Sequence, residues 1–113
     1  MVRGDVYRAM LDPAQGSEQS GMRPVVIVSR DAINRTSPVV IVVPLTGREN
    51  KKRIYPFHVE IKAGEGNLDK DSVALCEQVR AISVGKLSDH IGHLPNAKIA
   101  AVNAALKIAL DLP

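Results

Sequence analysis

At 113 residues the chain is long enough to bury a core without disulfide or metal staples. Its one cysteine, Cys76, excludes an intrachain disulfide, and three scattered histidines give no spacing for a structural zinc site. A net charge of +3 is compatible with a polyanionic partner, but aromatic residues at 3% argue against recognition that relies on stacking bases over rings.

Residues 3–10 alternate loosely and read as a first strand ending near Met10. Leu11-Asp12-Pro13 then turns the chain into a polar loop bracketed by Gly16 and Gly21, and this loop empties through Arg23 into Pro24–Ser29. Val25 to Val28 are β-branched without interruption, so this second strand is expected to be buried on both faces. Arg23 stands at its entry, where a guanidinium keeps its charge in water while its stem packs. Residues 30–37 read as a polar connection. Pro38–Pro44 is another β-branched strand, bounded by prolines as the ends of strands allow, and the two buried strands suggest a central antiparallel hairpin.

Arg48 to Arg53 form a loop dense in basic residues, among them Lys51, Lys52 and Arg53, suited either to solvent or to phosphate. Phe57, Val59 and Ile61 alternate with His58, Glu60 and Lys62, which assigns His58 to the wet face of a strand. Gly64–Asp71 is turn-rich, Val73–Cys76 is a short buried strand, and residues 80–87 hold an irregular turn and a last short strand. From about Pro95 the period changes: Ile99, Val102, Leu106 and Leu110 recur at three and four, which predicts an amphipathic C-terminal helix. The expected fold is a single domain over residues 1–113, mostly β and antiparallel, with that helix closing one side. No apolar run reaches the roughly 20 residues of a membrane span. No signal segment is visible either, so a cytoplasmic protein is expected.

Several ordered motifs carry a family resemblance. Gly4-Asp5-Val6-Tyr7, Leu11-Asp12-Pro13, Gly16-Ser17-Glu18-Gln19, Arg23 to Ser29, Val43-Pro44-Leu45-Thr46 and Asp71 to Arg80 occur in an order and spacing that resembles the MazF/PemK toxins. The resemblance implies an SH3-like or CcdB-like barrel, a homodimer with an RNA groove across its two-fold interface, and a MazE-like antitoxin as partner. It implies an endoribonuclease that cuts single-stranded RNA without metal or cofactor, leaving 2′,3′-cyclic phosphate and 5′-hydroxyl ends. It places catalysis at Arg23 and Thr46.

RNA contacts are expected from Ser17, Glu18 and Gln19 of the loop, from Lys51, Lys52 and Arg53, and from Gln78 and Arg80 after the buried strand. A guanidinium is a poor base, so Arg23 is read as the phosphate clamp and Thr46 as a hydrogen-bond donor. Histidine is the usual base for this chemistry, yet His58, His90 and His93 match no motif for it. Cys76 continues a buried strand and reads as core rather than nucleophile. The competing readings are a CcdB-like toxin that binds gyrase without catalysis and a barrel that binds RNA without cutting it.

Overall fold

The two β-branched runs become β2 (Met22–Ile27) and β3 (Val39–Gly47), an antiparallel pair in which Val25 faces Pro44, Val26 faces Val43 and Ile27 faces Val42. A computed structural model of the chain describes all of residues 1–113. Around the central pair lie β1 (Asp5–Met10), β4 (His58–Ile61), β5 (Ser72–Leu75), β6 (Arg80–Ser83) and β7 (Leu87–His93), with helices α1 (Asp31–Thr36) and α2 (Asn96–Leu110). The sheet order is β4-β5-β3-β2-β1-β7, and β6 adds to β3. Every pairing is antiparallel, so the chain is mostly β with a C-terminal helix.

Both faces of the central strands are dry over Val25–Ile27 and Val42–Leu45, whereas Val39 and Ile41 at the start of β3 are exposed, contrary to the burial expected of that run. Val26, Val43 and Leu45 join one core with Val6, Ile61, Cys76, and Val102 and Ala105 of α2. Val25, Ile27, Val40 and Val42 join a second core with Ala9, Leu11 and Ile82. Alternate side chains of a strand point to opposite faces, so a continuous β-branched run fills two cores at once.

β3 carries the change between layers. Its first half pairs with β6 as far as Val42, and its last three residues pair with β5 from Leu45. Pro44 falls between those two ladders. A proline lacks the N–H that a ladder needs, and a switch of partners is where that loss costs least. The strand therefore does not stop at Pro44, as its flanking prolines suggest, but runs on to Gly47, and Thr46 is a strand residue.

Other expectations are corrected by packing. The connection 30–37 contains α1, anchored from outside: Asp31 Oδ1 accepts from the Arg3 backbone N–H at 2.7 Å, and buried Asn34 donates to Ser29 O at 2.8 Å. β2 begins at Met22, so Arg23 lies within the strand, opposite Ala9 of β1. The stretch 80–87 resolves into β6 and a 3-10 turn at Val84–Lys86, while the final strand is β7, seven residues long and paired with β1. In α2, Val102 is buried and Ile99 and Leu106 pack against the first core, but Leu110 projects into solvent. No helix is long and apolar enough to cross a membrane.

Candidate active site

The hairpin register decides which polar groups meet. The β2–β3 ladder ends at the Val25–Pro44 pair, with Arg23 two residues before that end in β2 and Thr46 two residues beyond it in β3. Both line one cavity of about 320 Å³, together with Arg8 of β1, Asn67 and Lys70 of the turn region before β5, and Ser72. Arg8 faces Pro24 across the β1–β2 ladder, so its place beside Arg23 follows from strand pairing. Three cations from separate parts of the chain thus surround one polar hollow, with Asp69 the acidic group among its lining residues.

Arg23 is half-buried, and its Nε donates to Ser20 O at 3.1 Å. That bond fixes the guanidinium at the root of the loop and leaves its terminal N–H groups free. Thr46 is only 5% exposed, and its Oγ1 accepts from Asn50 Nδ2 at 3.1 Å. With that acceptor site used, the hydroxyl proton is directed to another partner, and the open direction is the cavity. Asn50 sits in a 3-10 turn, Arg48–Asn50, that follows β3 directly. The pair presents a cation and an O–H donor to one cavity, an arrangement that can stabilise charge on a phosphoryl group.

The remaining expected contacts divide. Glu18, Gln78 and Arg80 line a second, shallower hollow with Glu77. Gln78 clasps the loop: its Oε1 accepts from the Gln19 backbone N–H at 2.9 Å and its Nε2 donates to Ser17 O at 3.3 Å. Gln19 Oε1 is buried with no partner. Arg80 donates to Leu11 O at 3.4 Å and Lys86 to Asp12 O at 3.1 Å, so the loop is tied at its base as well. Gly16 and Gly21 hold φ of 57° and 72°, the left-handed turns that let the loop leave and rejoin the sheet. Lys51, Lys52 and Arg53 line neither hollow. Lys52 and Arg53 are exposed, and the Arg53 guanidinium lies 5.4 Å from the Tyr55 ring centre.

The histidines are engaged elsewhere. His58 is buried, contrary to its place in the alternation, because the 3-10 turn Cys76–Gln78 covers that face of β4. Its Nδ1 accepts from the Tyr55 backbone N–H at 3.2 Å, so Nε2 carries the proton and donates to Glu77 Oε2 at 3.1 Å. Glu77 is thus paired with His58. His93 Nδ1 lies 2.8 Å from Asp5 Oδ1, and His90 stacks on Tyr7 with ring centres 4.8 Å apart. Cys76 is fully buried, and burial pushes its thiol up to about 12, which removes it as a nucleophile.

Sequence reasoning missed Arg8, Asn50, Asn67 and Lys70. Asn50 alone left a signal, four residues after Thr46 in a turn; the others arrive through pairings between distant segments.

A family model described as "PemK-like, MazF-like toxin of type II toxin-antitoxin system" matches residues 2–110. The chain is 51% identical over 112 residues to an endoribonuclease MazF of Staphylococcus saprophyticus, covering 99% of this chain and 92% of that protein. Among solved structures, an endoribonuclease in complex with its cognate antitoxin, from a mycobacterial species, matches with a TM-score of 0.83 and 29% identity over 100% of this chain and 97% of that one. MazF from Deinococcus radiodurans matches with a TM-score of 0.83 over 99% of this chain and 97% of that one, and at 24% identity it shows likeness of fold alone.

Proposed function

The chain belongs to the PemK/MazF family of type II toxin–antitoxin toxins and is an endoribonuclease of that family, and from this premise we propose that it cuts single-stranded RNA at the cavity shared by Arg23 and Thr46. The observation that supports the assignment of the site is that the Arg23 guanidinium and the buried Thr46 hydroxyl line one cavity.

Arg23 holds the scissile phosphate through charge-assisted hydrogen bonds and stabilises the extra charge of the transition state. Thr46, with its oxygen satisfied by Asn50, donates its proton to a non-bridging oxygen or orients the proton bound for the leaving group. The substrate's own 2′-hydroxyl attacks phosphorus and the bond to the 5′ oxygen breaks. The proton lost by the first oxygen ends on the second. The products are a 2′,3′-cyclic phosphate and a 5′-hydroxyl. DNA, which lacks the nucleophile, is not cut. None of these steps draws on a metal ion or cofactor.

Sequence selectivity comes from the loop carrying Ser17, Glu18 and Gln19 and from Gln78 and Arg80, which face the second hollow or hold the loop over it. The exposed Lys52 and Arg53, with Lys51, extend the basic surface for the RNA backbone beyond either hollow. The partners are a second copy of the chain and a MazE-like antitoxin, in keeping with the antitoxin complex of the mycobacterial relative. The working compartment is the cytoplasm, where its RNA substrate is made. A CcdB-like, protein-binding role gives no purpose to the Arg23–Thr46 pairing and is not favoured.

The test is incubation of the purified protein with a long single-stranded RNA and its DNA counterpart in excess EDTA, with Arg23→Ala in parallel. Discrete RNA cuts with cyclic-phosphate ends, lost in the variant, are expected. Intact RNA across unrelated sequences overturns the reading, and bound but uncut RNA replaces it with a binding role.

A further inference from the structure

Arg23 and Thr46 account for one phosphate, but the cavity that holds them carries two more cations, Arg8 and Lys70. Neither has a strong competing role in the fold. Arg8 lies 3.7 Å from Asp89, with both side chains well exposed. Lys70 Nζ lies 3.0 Å from Glu49 Oε1, and each of these side chains is 60% exposed. That second pair has an unusual position. The Glu49 carboxylate folds back over Gly47, so closely that a side chain at Gly47 would collide with it. Gly47 lines the cavity and follows Thr46 directly.

An anionic group therefore sits on the rim of the candidate catalytic cavity and holds one of its cations. The two segments are tied together: Gly47 pairs with Ser72, and the Arg48 backbone N–H donates to Asp71 O at 2.9 Å. The pair is thus positioned by backbone, not by chance meeting of two long side chains. The hydrogen bond from Lys70 holds the Glu49 carboxyl below its ordinary range, so the carboxylate is charged wherever the protein is folded near neutral pH.

We propose that Lys70 is a second phosphate-binding cation, contacting a phosphodiester next to the scissile one, and that the Glu49 carboxylate occupies it until RNA displaces it. The inference rests on the RNA-cleaving reading above and extends it along the strand. An exposed carboxylate–ammonium pair is weak and screened by salt, so a polyanion that also gains Arg23 and Arg8 exchanges with it readily. Glu49 then turns into water, which it already contacts, and Lys70 keeps a charged partner throughout. The carboxylate lowers the affinity of the cavity for stray anions and makes binding depend on several phosphates engaging together.

The test is equilibrium binding of a fluorescent, randomised 2′-O-methyl RNA pool, which cannot be cut, over a salt series. It uses the wild type, Lys70→Gln, Glu49→Gln, the double variant, and Lys107→Gln on the exposed side of α2 as a control of equal charge change. A single-strand phosphate contact contributes a slope of about 0.7 in log affinity against log salt, or about fivefold in affinity near 0.1 M salt. Lys70→Gln is expected to lose that slope and that affinity, while Lys107→Gln keeps both. Glu49→Gln is expected to bind several-fold tighter, and the gain disappears in the double variant because its beneficiary is gone. Thermal melting confirms that these exposed substitutions leave the fold intact. A wild-type salt slope in Lys70→Gln, no tightening in Glu49→Gln, or a gain that survives without Lys70 each overturns the proposal. If such a result comes from a wild type that cuts RNA, this inference alone fails; if the wild type neither binds nor cuts RNA, both readings fail.

Discussion

Removing the Gln78 amide tests whether the loop before β2 is held over the second hollow by one side chain. Gln78 makes two hydrogen bonds to the loop backbone, at 2.9 Å to Gln19 and 3.3 Å to Ser17. The first is partly buried and the second exposed, so only the first leaves a group that water cannot fully satisfy after truncation. At a net 0.5–1.5 kcal/mol per bond, with the exposed one at the low end, Gln78→Ala costs about 1–2 kcal/mol. That corresponds to about a 5- to 30-fold rise in the open population of the loop. The cores do not include the loop, so global stability falls by less than the local cost. Amide hydrogen exchange, read peptide by peptide, checks this: residues 14–20 should exchange faster by that factor while β2 and β3 stay protected. Unchanged exchange in the loop refutes the clasp, and faster exchange throughout the sheet refutes the independence of loop and core.

Asn50→Ala, which frees the Thr46 oxygen, is expected to lower kcat about tenfold with little change in KM; Asn50→Asp should be worse, because a carboxylate accepts the Thr46 proton instead of supplying one, and equal rates for the two variants would contradict the positioning role. His58→Ala removes a buried ring with two hydrogen bonds and edge contacts to Tyr55 and Phe57, and urea unfolding should show a loss of about 2–4 kcal/mol; a loss under about 0.5 kcal/mol would place His58 outside the core. Burial alone would raise the Asp5 pKa, but the Val2 backbone N–H, the His93 hydrogen bond and the nearby His90 outweigh it and hold the carboxyl below its ordinary range. A depressed folded pKa contributes stability that is present above the unfolded value and lost as pH falls through the folded one. Acid titration should therefore show a stability slope below about pH 4 that Asp5→Asn flattens, and an identical slope in the variant would remove Asp5 as its source. Cys76 should resist alkylation at neutral pH until the chain unfolds, and rapid labelling of the folded protein would contradict its burial.

The parts of this fold that could be read from the sequence are those whose determinants are local. The runs around Val26 and Val42 announce two strands because β-branched residues leave the backbone few alternatives, and Arg23 and Thr46, which flank the paired ends, meet at one cavity. The period of Ile99, Val102 and Leu106 announces α2 for a similar reason. What was hidden depends on partners. β7 is an edge strand paired only with β1, and its polar residues give no apolar alternation. α1 is set by Asp31 and Asn34 reaching Arg3 and Ser29, contacts that no window of residues contains in full. His58 follows the strand period on the page, yet the turn carrying Glu77 covers it. Arg8 and Lys70 join the cavity only because β1 pairs with β2 and β5 pairs with β3.

The central claim is that Arg23 and Thr46 act on the same phosphate. A double-mutant cycle of Arg23→Ala, Thr46→Val and the pair, measured as single-turnover cleavage of one RNA site, tests it most directly. Residues that stabilise one transition state together are strongly non-additive, so the double variant should be scarcely slower than the worse single one. Losses that simply multiply would mean that the two side chains work independently, and the shared cavity would not be the catalytic centre.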